Sequence, residues 1–183
     1  MEGQTEFQTM GLAQLQICYE QAKEHGKYFF VFDKTENVDR FYSYQASLND
    51  FHKEVLKVTM GKQTTEEALE TLRSQLVGCM RTGKLFVINC SHAKPDFKTK
   101  FTGAENLFPS AEIFNLEKWQ DHNCNRKILK EGENYNMMGD KGSFSMLPEF
   151  RICILAKYTS DEDCQKLIDC VPDGENFLKF IIQ

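Results

Sequence analysis

The sequence predicts an α/β fold, a parallel sheet with helices on both faces. Three observations carry this. Short runs that are apolar throughout recur along the chain, as strands buried on both faces require. Stretches with apolar residues at helical spacing separate them. No linker rich in Pro, Gly or Ser divides the 183 residues, so 1–183 is expected to be one domain.

Residues 9–25 place Met10, Ala13, Ile17 and Cys18 on one helical face and stop at Gly26, which predicts an N-terminal helix. Tyr28-Phe29-Phe30-Val31-Phe32 reads as the first strand. From Glu36 to about Asp50 the apolar residues Val38, Phe41, Tyr42 and Leu48 return at helical spacing. Residues 54–59, with Val55, Leu56 and Val58, read as a second strand. Thr64 and Glu67 form a capping-box pattern ahead of the stripe Leu69, Leu72, Leu76 and Met80, which ends at Gly83. Residues 84–90 are the third expected strand. The span 91–145 is an irregular insert, with short helices expected at Pro95–Phe101 and Phe114–Trp119 and a polar loop near Glu131–Gly142. Residues 150–156 are the fourth strand. Ser160 opens a helix through about Cys170, and Asn176 to Ile182 is the fifth strand.

Composition narrows the function. Fifteen Phe, six Tyr and one Trp exclude disorder as the main state. A formal charge of −5 disfavours a whole-molecule grip on nucleic acid or anionic membrane. No apolar run reaches the roughly 18 residues of a membrane span, and the N-terminus lacks the basic start and apolar stretch of a secretory signal. The seven cysteines (Cys18, Cys79, Cys90, Cys124, Cys153, Cys164 and Cys170) are therefore expected as free thiols in a reducing, cytoplasmic setting. His122 and Cys124 lack a second pair of ligands for zinc, and no cofactor is expected. Asn89-Cys90-Ser91 matches the glycosylation triplet, but without a secretory route it reads as chance.

In a parallel sheet the loops after the strands are the place for ligands, so those starting at Asp33, Cys90 and Lys157 matter most. A phosphate cradle needs glycines that let backbone N–H groups close on the anion. The segment Asp33 to Asp39 has none, and Asp33, Glu36 and Asp39 would face the phosphates. It reads better as a helix start with Thr35 as N-cap. Cys90 and His92 could meet as nucleophile and base only if the loop bends, and no third group orients them. A buried thiol is the plainer reading of Cys90.

The order of elements and three motifs resemble the degenerate AAA-type modules of dynein heavy chains, chiefly the region of the fourth and fifth modules. An apolar strand ends at Asp33 and is followed by Val38-Asp39-Arg40-Phe41. Gly83-Lys84-Leu85-Phe86-Val87-Ile88-Asn89 is similar to that family's strand in the Walker B position. Pro148-Glu149-Phe150-Arg151 and the strand after it are similar to the family's Pro-Asp-Phe-Arg strand in the sensor-1 position. The likeness spans about 28–183. The chain departs from the family by lacking a glycine in the first loop and Gly-Glu-Glu after the second motif, and by carrying Thr159-Ser160 in place of Asn-Pro.

The resemblance implies a P-loop NTPase-like fold without its ATPase site: a three-layer, five-stranded sheet in the order 5-1-4-3-2, counting expected strands along the chain. Asp33, Asn89 and Arg151 would be remnants of the site, with no catalytic role. It also implies dynein or axonemal partners and a ciliary location. The expected function is thus a non-catalytic scaffold or protein-interaction module. Its partner surface would lie in the insert, where Phe97 and Phe101 alternate with Lys98 and Lys100 and where Trp119 follows Lys118. The other reading open at this point is a small enzyme or nucleotide sensor, with an unrecognised site near the strand ends among Phe108, Phe114, Trp119 and Tyr135.

Overall fold

The computed structural model describes residues 6–183; residues 1–5, part of the expected domain span, lie outside it. A single sheet runs through the described residues. Its strands are β1 (Gln8–Met10), β2 (Phe29–Asp33), β3 (Ser47–Asn49), β4 (Leu85–Ser91), β5 (Arg151–Lys157) and β6 (Leu178–Ile182). All neighbours are parallel, in the order β1-β6-β2-β5-β4-β3.

The helices are α1 (Leu15–Glu24), α2 (Val38–Gln45), α3 (Phe51–Thr59), α4 (Thr65–Thr82) and α8 (Asp161–Asp169), with the four-residue α5 (Ser110–Ile113), α6 (Leu116–Trp119) and α7 (His122–Asn125) in the insert. Crossover connections between the parallel strands divide them between the faces. Moving from β1 to β2 and from β2 to β3, the chain crosses the face holding α1 and α2. Returning from β3 through β4 and β5 to β6, it crosses the other face with α3, α4, the insert and α8. Strand residues alternate accordingly: Phe29, Val31, Val87, Cys153 and Leu155 meet α1 and α2, whereas Phe30, Phe32, Phe86, Ile88, Ile152 and Ile154 face the opposite core.

Four of the five expected strands stand where the apolar runs place them, and β6-β2-β5-β4 reproduces the 5-1-4-3 part of the expected order. The expected second strand does not. Residues 54–59 belong to helix α3, because the buried Phe51 and the partly buried Val55 and Val58 face the core together at helical spacing while Leu56 is 58% exposed. The edge strand is β3, just upstream, where Gln75 of α4 donates to the Leu48 carbonyl and the Ser47 hydroxyl. A sixth strand, β1, takes residues assigned to the N-terminal helix. Its Gln8–Met10 segment has no pattern of its own and exists by pairing with β6.

The capping box is present: Thr64 Oγ1 accepts from the Glu67 amide at 3.1 Å and Glu67 Oε2 accepts from the Thr64 amide at 2.8 Å. Gly83 closes α4 in the left-handed region, at φ +67°. Ser160 caps α8 through the Asp163 amide. Pro95–Phe101 is no helix. It is a turn wound on Asp96, whose carboxylate accepts from the Lys98 and Thr99 amides and so competes with helical bonding.

Candidate functional site

The loop after β2 is organised by one carboxylate. Asp33 closes the strand with its side chain fully buried. Its Oδ1 accepts from the Thr35 amide at 2.7 Å and the Thr35 hydroxyl at 2.8 Å, and its Oδ2 accepts from the Val38 amide at 3.2 Å and Lys157 Nζ at 3.3 Å. The donors a phosphate cradle would turn toward an anion thus converge on the chain's own carboxylate. Glu36 takes a positive φ of 59° to make the turn. Thr35 is not the N-cap expected of it: Asn37 holds that position without a side-chain capping bond, its side-chain amide donating instead to the Thr35 carbonyl, and Asp33 caps α2 by accepting from the Val38 amide.

Asn89, near the end of β4 and in register with Leu155, is also committed. Its Nδ2 donates to Asp50 Oδ1 at 3.0 Å and its Oδ1 accepts from the Ser91 amide at 3.0 Å. The second Asp50 oxygen takes Lys53 Nζ at 2.7 Å. Cys90 is sealed in the core with its thiol toward the Ile88 carbonyl, and burial pushes that thiol far above the usual range. His92 lies exposed outside. The nucleophile–base pairing of Cys90 and His92 is not formed, because a β-bulge between Asn89 and Ser91, with Ser91 at φ +51°, carries the chain away.

β2 and β5 are neighbours whose outgoing helices lie on opposite faces, so their carboxyl ends form the switch point of the sheet. A cleft of about 100 Å³ opens there, lined by Phe32, Ser91, His92, Lys94, Lys157 and Thr159 with Asp163 on its wall. Lys157 serves Asp33, and Lys94 stands 3.7 Å from Asp163.

Arg151, the third expected remnant, is at the opposite end of the sheet. It opens β5, pairs in register with Leu85, and sends its guanidinium to the carbonyls of Ala22, Lys23, Pro148 and Phe150. It holds the negative end of α1 against the sheet. Burial lowers its pKa from the usual guanidinium value.

The expected partner surface divides in two. Phe97, Phe101 and Trp119 are core residues, 0%, 2% and 0% exposed. Phe97 stacks on Phe51 of α3 at 5.5 Å and meets Phe114 edge-on at 5.1 Å, while Trp119 Nε1 points to Met80 Sδ at 3.1 Å. The insert covers one sheet face, so Phe97, Phe101 and Trp119 cannot form an exposed surface; Tyr135 is exposed, at 36%, beneath the Arg81 guanidinium. Lys98 and Lys100 do remain exposed on the Asp96 turn. Phe108 and Phe114 are likewise buried. His122 bonds Arg126 and Cys124 bonds Glu112, and no group of three or more metal-ligating side chains forms among the described residues.

Two features escape the sequence reading. Lys157 meets Asp33 across 124 residues of chain, and no local pattern signals that. Arg73 sits inside the apolar stripe of α4 and is 1% exposed. A cation on a buried helical face is a legible sign of a partner; here the partners are Glu70 and Glu133. No helix among the described residues is long and apolar enough to cross a membrane. Comparison with known proteins returns no match: no family model, no curated protein and no solved structure corresponds to this chain.

Proposed function

We propose that this chain is a non-catalytic, NTPase-like scaffold that works by binding protein. One observation carries the reading: the buried Asp33 carboxylate, with its four donors, takes the place at the end of β2 where an NTPase binds phosphate. A phosphate entering that loop would have to displace a satisfied, buried anion of its own sign. Asn89 and Asp50, tied to each other and to Lys53, offer no free carboxylate for magnesium at the β4 end. On the family resemblance, the proposed partners are dynein or axonemal components, in cytoplasm or cilium. Calorimetric titration with Mg·ATP and Mg·GTP tests the reading. No binding heat is expected, and a micromolar affinity for either overturns it.

The cleft at the β2/β5 switch point favours a second reading, a small-molecule sensor or enzyme using Ser91, His92, Lys94 and Thr159. Asp163 on its wall and the engagement of Lys157 with Asp33 weigh against an anionic ligand. Chemical-shift changes confined to Ser91–Lys94 and Thr159 on titration with small metabolites would support it over the scaffold.

A further inference from the structure

We infer that residues 130–143 form a strap that opens from α4 as a unit while the rest of the chain stays folded, with Arg73 and Arg81 as its latch. The inference goes beyond the scaffold reading and does not depend on it. Ile128 and Phe144, on either side of the strap, are core residues, 0% and 1% exposed. No residue from 130 to 143 is buried. The burial of apolar side chains that holds the other elements to the sheet is therefore missing here. What fastens the strap is polar. The Phe144 amide donates to Asn134 Oδ1 where the strap rejoins the core. Apart from that, every hydrogen bond and ion pair that leaves the strap among the described residues goes to a side chain of α4. Arg73 grips the Glu133 carboxylate, and Glu70 takes Lys130 Nζ at 2.7 Å. Arg81 donates from Nη2 to the Glu133 carbonyl at 2.8 Å and from Nε to the Tyr135 carbonyl at 3.0 Å, with its guanidinium 3.8 Å above the Tyr135 ring.

The strap's remaining bonds are its own. Asn136 Oδ1 accepts from the Met138 and Asp140 amides, and the Gly142 amide donates to the Asn134 carbonyl at 2.7 Å. Gly132 and Gly142 stand near its two feet in the left-handed region, at φ +84° and +78°, with open space around each, so both feet can turn without a side chain in the way. A segment with no buried side chain, exposed backbone bonds and one line of polar attachment has the makeup of a unit that opens below the global unfolding free energy. Its turns are too short to persist once detached, so opening frees their amides to exchange. It also parts Arg73, which is 1% exposed, from the Glu133 carboxylate.

The test is hydrogen exchange of the full chain under native conditions, followed by NMR across urea concentrations below the unfolding transition. The amides of Asn136, Gly139 and Gly142 should exchange through an opening whose urea slope is well below that of the Val31 and Ile154 amides in the sheet, which report global unfolding. Glu133→Gln and Arg81→Ala should each speed exchange in the strap about tenfold and keep its small slope, whereas Lys98→Ala should leave it unchanged. Phenylglyoxal, which modifies arginine, should reach Arg73 faster by the same factor in Arg81→Ala. The slopes are read on the unaltered chain, so they decide the matter even where a variant does not fold. Strap amides that share the slope of the sheet, strap amides with no protection at all, or latch variants that exchange like the unaltered chain overturn the inference.

Discussion

Arg73 of α4 and Glu133 of the insert meet as a two-pronged pair, Nη1 to Oε2 at 2.7 Å and Nη2 to Oε1 at 3.0 Å, across 60 residues of chain. Glu70 binds the same guanidinium from one helical turn away, and Arg73 Nη1 also donates to the Ile128 carbonyl. This cluster fastens the polar end of the insert to the one helix whose bounds are local in origin. Glu133→Gln leaves a buried guanidinium with one charged partner, so a loss of about 1–3 kcal/mol is expected in urea unfolding. A loss within about 0.5 kcal/mol would mean the insert is held by its aromatic side chains alone.

The same cluster sets an acid limit. Hydrogen bonds from Arg73 lower Glu70 from the ordinary carboxylate value of 4.5 to about 2. For Glu133, burial acts to raise the pKa, but the bonds from Arg73 and the Lys130 amide together with the Arg73 charge outweigh it, so the net direction is also down. A carboxylate depressed in the folded state contributes stability above its unfolded pKa and loses it as pH falls through the folded value. Unfolding free energy should therefore fall between about pH 4.5 and pH 2. Glu70→Gln should flatten that slope. An unchanged slope would remove Glu70 from the account.

Asp33→Asn retains the shape of the side chain but removes its charge and turns an NH₂ toward donors. The Thr35 and Val38 amides then compete for one acceptor oxygen, and Lys157 keeps no counterion. The expected cost is about 2–4 kcal/mol in chemical denaturation. Combining it with Lys157→Met should recover part of the loss, since the two are one interaction. Strict additivity would show that the 3.3 Å contact carries no energy.

Trp119→Ala removes a fully buried indole from beneath α4 and should cost about 3–5 kcal/mol. Lys98→Ala, on the exposed turn, should stay within about 0.5 kcal/mol. As Trp119 is the one tryptophan of the chain, its blue-shifted emission should move red in step with unfolding. A Trp119→Ala protein of native stability would contradict the packing described for the insert.

All seven cysteines are free, and Cys124 and Cys170 are the two that are not buried. Thiol titration should find seven groups in denaturant and no more than these two in the native protein. Even they should react slowly near neutral pH, because burial, with Glu112 beside it, pushes Cys124 to about 11 and burial raises Cys170. Fewer than seven in denaturant without reductant would mean that disulfides form.

The fold was legible where the signal is local. Strands β2, β4, β5 and β6 each carry an apolar run because both faces are covered. The ends of α4 are readable because Thr64, Glu67 and Gly83 satisfy its terminal groups within one turn. The site was legible only in its negative part: the absence of glycine after β2 and the run of acids there. That Asp33 gathers the donors of its loop was not, because Lys157 comes to it from another strand.

By itself, then, the sequence determined the α/β class, four buried strands and the best-defined helix, all properties set by spacing within a few residues. Tertiary structure alone decided that Gln8–Met10 and Ser47–Asn49 are edge strands, since three residues form a strand only when a neighbour pairs with them. It also decided which aromatic residues are surface. Phe97, Phe101 and Trp119 lie in a segment without periodicity, where nothing local separates a side chain that covers the sheet from one that faces a partner. Only the packing of the insert against Phe51 and Met80 draws that line, leaving Tyr44 outside it.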